Sequence, residues 1–79
     1  MSKEVKRFIS RLHVYGTGED KFFTDWEDII DTHTGEVVYT QHSIMCGHLL
    51  EELNNPEEYG IEDVNQYIKK VIKMEKGDN

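Results

Sequence analysis

The sequence is poor in the residues that staple or stiffen a small protein: its 79 residues hold one cysteine, Cys46, and one proline, Pro56. A single thiol closes no internal disulfide, and it falls short of the cysteine sets that build structural zinc sites. No apolar run approaches the roughly 18 to 20 residues that cross a bilayer, so no membrane-spanning helix and no membrane partner are expected. The opening MSKEVKRFIS is charged where a signal peptide needs an unbroken apolar stretch, which makes the expected location cytoplasmic. The chain also lacks a phosphate-cradling glycine loop, a zincin histidine pair and a nucleophile elbow. YGTGED has two glycines two apart but no third glycine and no helix after it, and reads as a turn.

What the chain has is acid. The net charge of −7 is distributed as +3 over residues 1–16, −6 over 17–40, −6 over 41–63 and +2 over 64–79. Such a field repels nucleic acid over most of the surface and favours a protein partner with a basic surface. It also serves solubility. The length allows one domain, residues 1–79, with residues 75–79 expected to fray. A core this small leaves modest stability, and homodimerisation is one way to bury more.

VKRFISRLHVY alternates as a half-buried strand, with Phe8, Leu12 and Val14 on one side and Arg7, Ile9, Arg11, His13 and Tyr15 on the other. DIIDTHTGEVVYT reads as a hairpin, two β-prone runs flanking a turn with Gly35 placed for a positive φ. TDWE also fits a helix-capping box, Thr24 with Glu27, but the adjacent turn and the alternation of Phe22, Trp26 and Ile30 favour a strand with those three facing inward. From Ser43, a potential cap, Met45, Leu49, Leu50 and Leu53 recur at helical spacing. NNPEEYG ends that helix and suggests a short helical turn at Pro56. Ile61 to Met74 forms an amphipathic helix striped by Ile61, Val64, Ile68, Val71 and Ile72. The expected fold is α+β: a three-stranded antiparallel sheet followed by two helices packed on one face, in the order β-β-β-α-α.

QHSIMCGHLL gathers His42, Cys46 and His48. At about 100° per residue, Cys46 falls in the apolar stripe and His48 on the opposite face. Tetrahedral zinc needs three or four converging ligands, whereas at most His42 and Cys46 approach each other, so no metal and no cofactor are expected. Burial among leucines would raise the thiol pKa, against a catalytic thiolate, and no catalytic residue is assigned. His33 reads as a solvated turn residue.

Two surface constellations remain. Arg7, Arg11, His13 and Tyr15 form a basic, aromatic row of the kind that meets single strands, but pairing with carboxylates on the next strand accounts for it and the overall charge makes nucleic acid an unfavoured partner. With Phe22 and Trp26 inside, Phe23 would stand outside among Asp25, Glu27 and Asp28, an aromatic anchor in an acidic field. These four are the candidate partner-binding residues. The leading expectation is a small acidic, non-enzymatic binding protein, an inhibitor or regulator that docks on a basic surface of a larger protein, perhaps one that itself binds nucleic acid. A structural or homo-oligomeric subunit, and a small metal- or thiol-dependent enzyme, are the competing classes. In size and composition the chain is similar to the small acidic, Lys/Glu/Ile-rich proteins encoded by phages and prophages, a likeness that implies a phage protein.

Overall fold

The structure, a computed structural model, describes residues 6–77. Three strands, β1 (Phe8–Tyr15), β2 (Phe22–Asp31) and β3 (Glu36–His42), precede two helices, α1 (Ser43–Asn54) and α2 (Val64–Glu75). The strands pair antiparallel in the order β1-β2-β3, and the expected β-β-β-α-α arrangement is the one observed.

Turn chemistry sets the register of the β2–β3 hairpin. The Asp31 carbonyl accepts from the amides of Thr34 and Gly35, its carboxylate accepts from the His33 amide, and Gly35 takes φ +77. Only glycine enters that region without a Cβ penalty. The Asp31 carboxylate, on a residue just 2% exposed, also receives a bidentate bond from Arg7, at 3.1 and 3.0 Å. The turn and the start of β1 are thereby tied together.

The core is Phe8, Ile29 and Tyr39 from the sheet, Cys46, Leu49 and Leu53 from α1, and Ile68 from α2. The α1 residues lie at steps of three and four, so one stripe meets the sheet. Cys46 is inside, as expected, but Met45, expected in the same stripe, is on the rim, 44% exposed. α2 starts at Val64 rather than Ile61, because Asp63 caps it by accepting from the amides of Asn65 and Gln66. α1 has no side-chain cap, and Ser43 is its first residue. Residues 56–60 form a hydrogen-bonded turn with no helix, and Glu75, expected to fray, is helical and bonded to the Tyr39 hydroxyl and the Gln41 amide.

The strand reading of residues 24–31 holds, but the inward face of β2 is the opposite of the expected one. Ile29 is completely buried, in a row with Ser10 and Tyr39, whereas Ile30 pairs with Ile9 and Val37 on the face away from the helices. The cause lies in β3. The register slips between Ile29 and Ile30, leaving Val38 as an extra residue, and such a bulge turns two successive side chains to one side. Val38 and Tyr39 both pack toward α2, and Tyr39 carries Ile29 inward with it.

Candidate binding arm

β2 is ten residues long and β3 is seven. β3 pairs only from His42, opposite Trp26, to Glu36, opposite Asp31. α1 begins at the next residue and turns back over the sheet. Its Cys46 thiol donates to the carbonyls of Glu27 and Gln41, at 3.3 and 3.2 Å, which marks the last row under the helix. Residues 13–25 therefore continue as a two-stranded arm, with Leu12 and Trp26 at its base and, among the described residues, no third strand and no helix above it.

The arm is apolar on both faces. Val14 and Phe23, with Leu12 at the base, lie on the side that faces the helix layer further down the sheet, and Tyr15 and Phe22, with Trp26 at the base, lie on the other. Leu12, Val14, Phe22 and Phe23 keep 42–57% of their surface in solvent, and Trp26 keeps 36%. Carboxylates flank them: Glu19 and Asp20 in the tip turn, Asp25 and Glu27 along β2.

A two-stranded ribbon is marginal alone, and this one is braced from its outer face. At its base His13 stands opposite three residues of β2, Thr24 to Trp26, where the register slips. His13 Nδ1 lies 2.7 Å from Asp28, whose carboxylate also accepts from Thr40 at 2.8 Å and from Arg11 at 3.4 Å. From His13 the bracing continues edge-to-face onto Tyr15 at 4.7 Å, and Tyr15 stacks on Phe22 at 5.1 Å. Asp28 is 4% exposed. Burial alone would push its carboxyl up, but the bonds from Thr40, His13 and Arg11 outweigh that and hold it below the usual carboxylate range. At the arm tip Gly16 takes φ +75, and a Cβ there would stand 2.4 Å from the Asp20 carbonyl oxygen.

The four residues singled out in the sequence separate. Phe23 is exposed, on the same side as half-buried Glu27. Asp25 is exposed and pairs with His42 Nε2 at 2.5 Å. Asp28 is on the opposite face, enclosed by Arg11, His13 and Thr40, and presents no carboxylate to a partner. The basic row on β1 is accounted for by strand pairing, through Asp28 and Asp31 in place of Asp25 and Glu27.

Alternation assigns Leu12, Val14, Phe22 and Trp26 to the interior; the structure exposes Val14 and Phe22 on the arm and Leu12 and Trp26 at its base. One signal pointed to this: counting back from the hairpin turn, β3 gives way to a helix at Ser43, so β2 residues before Trp26 have no partner on that side.

Among QHSIMCGHLL, Cys46 is fully buried and burial pushes its thiol up, His48 is exposed, and His42 lies across the sheet from Cys46 beside Trp26. His33 is exposed in its turn. Among the described residues no three His, Cys, Asp or Glu side chains group as metal ligands, and no helix is long and apolar enough to cross a membrane. Comparison with known protein families, with curated proteins and with solved structures finds no match to this chain.

Proposed function

We propose that the protein is a small non-enzymatic binding protein, an inhibitor or regulator, whose β1–β2 arm docks on an apolar surface with a basic rim on a larger protein. The observation that carries this reading is the arm itself: Val14, Phe22 and Phe23 on a braced ribbon, with Leu12 and Trp26 at its base, all left in solvent and uncovered by the helices of the described residues. Interfaces concentrate their affinity in such aromatic anchors, while surrounding charges set encounter rate and partner choice. Phe23 and Phe22 are the anchors, one on each face, and Asp25 and Glu27 with Glu19 and Asp20 supply the acidic surround. Asp28 has a supporting part, holding His13 and through it the arm.

The test is capture from the cells that encode the chain, using the full-length protein as bait and quantitative mass spectrometry. The wild type is expected to enrich a basic protein at low salt and less of it at high salt, as charge steering is screened. The Phe22→Ser, Phe23→Ser double variant is expected to lose that protein, and because Phe22 also stacks on Tyr15, Phe23→Ser alone is the variant expected to weaken capture while keeping its melting temperature. Equal capture by wild type and double variant sinks the proposal.

A further inference from the structure

The arm has a counterpart on the same molecule. At the end of the helix layer nearest the arm, Met45, Tyr67, Val71 and Met74 line an apolar groove of about 420 Å3, edged by Lys70. Met74 is 68% exposed and Ile44, beside Met45, is 65% exposed. Methionines suit a surface that must mould itself to a partner. The charge here is opposite to that of the arm: α2 carries Lys70 and Lys73 in its second half, with Lys76 just beyond, while Glu75, the acidic residue of the groove, is engaged by Tyr39 and Gln41, and Glu52 accepts from the Tyr67 hydroxyl. α1 opens onto the same end with no acidic residue in its first turn, so its positive end is open to carboxylates from outside.

The arm and its base form one limb, with Leu12, Val14 and Phe23, and the groove the other, with Met45 and Met74. An acidic apolar limb beside a lysine-edged apolar limb is self-complementary under a two-fold rotation.

We infer that a second copy of this chain occupies the notch, each arm lying in the Met45–Met74 groove of the other, with Glu19 and Asp20 meeting Lys70 and Lys73. The inference rests on the arm being the docking element, and it adds a regulation: the dimer hides both arms, so self-association and capture of a larger partner compete.

Sedimentation equilibrium of the full chain across the micromolar range tests it. The wild type is expected at twice 9.3 kDa. Phe23→Asp in the arm and Met74→Glu in the groove are each expected to weaken the dimer about tenfold or more, the loss that removing an interface anchor brings. Both positions are exposed, and unchanged circular dichroism and melting temperature of the diluted monomer exclude misfolding. Mixing the two variants is the decisive arm: the heterodimer keeps one intact arm-in-groove contact where each variant alone keeps none, so the mixture must dimerise more tightly than either. A wild type that stays monomeric, a dimer indifferent to either variant, or a mixture no tighter than its components overturns the inference. Its failure is separable from failure of the arm as docking element. Met74→Glu leaves the arm intact and should capture the larger partner at least as well as wild type, whereas Phe23→Asp should not. If only the sedimentation result fails, the arm stands; if capture is indifferent to Phe23, the docking proposal falls whatever the dimer does.

Discussion

The side chain of Asn54, the last residue of α1, occupies the free edge of β1: its amide donates to the Phe8 carbonyl at 2.9 Å and its carbonyl accepts from the Phe8 amide at 3.0 Å. A helix terminus thereby stands in for one rung of a fourth strand. Strand edges are open to pairing with other chains, and this contact closes β1 where its most buried residue, Phe8, lies.

Asn54→Ala removes both bonds and leaves a donor and an acceptor beside a 1%-exposed side chain. The expected loss is about 1 to 3 kcal/mol of unfolding free energy in urea. Native-state hydrogen exchange should show the Phe8 amide among the most accelerated. A variant as stable as wild type would mean that water satisfies the edge equally well.

Asp28 and Asp31 are both held below the usual carboxylate range. For Asp31 the Arg7 bond is the main cause, with burial opposing it and the His33 amide adding to it. A carboxylate with a depressed folded-state pKa binds fewer protons native than unfolded, so its stabilisation is complete above the unfolded value of about 4 and is lost as pH falls through the folded value. Stability measured by urea unfolding should therefore be flat with respect to these two groups at neutral pH and fall below about pH 4. Asp31→Asn should lower stability at pH 7 by about 1.5 to 3 kcal/mol, the worth of a hydrogen bond to a charged group, and flatten the acid limb. An unchanged acid limb would remove Asp31 from the account.

Gly16 and Gly18 both have positive φ, but only at Gly16 would a Cβ meet backbone; at Gly18 nothing lies within 4 Å. Either alanine incurs the left-handed cost of about 1 to 2 kcal/mol. Gly16→Ala should lose clearly more melting temperature than Gly18→Ala, and its faster hydrogen exchange should be confined to the arm. Equal losses would show that the tip relaxes freely around Gly16.

Much of the fold was legible because it depends on short-range rules. Gly35 and the β-prone runs beside it marked the β2–β3 hairpin, and the three- and four-residue spacing of leucines marked α1. The helical start at Ile61 failed for a local reason too, since Asp63 is the stronger cap. The candidate site was legible in residue types, as aromatics among carboxylates, but misread in placement. Phe23, Asp25 and Glu27 are on the arm or at its base, and Asp28 is withdrawn beneath His13. Alternation alone offers two solutions for β2, because Ile29 and Ile30 put an apolar residue on each face.

The sequence by itself determined the order of elements, the turns, the acidic charge of the middle of the chain and the burial of Cys46, all set by neighbours within a few turns or by composition. Only the tertiary structure decided which face of β2 is inside and that residues 13–25 project as an arm. The reason is that both outcomes depend on partners distant in sequence. The Val38 bulge brings Tyr39, and with it Ile29, against the helices, and β3 stops at His42, where α1 folds back and leaves the rest of the ribbon uncovered.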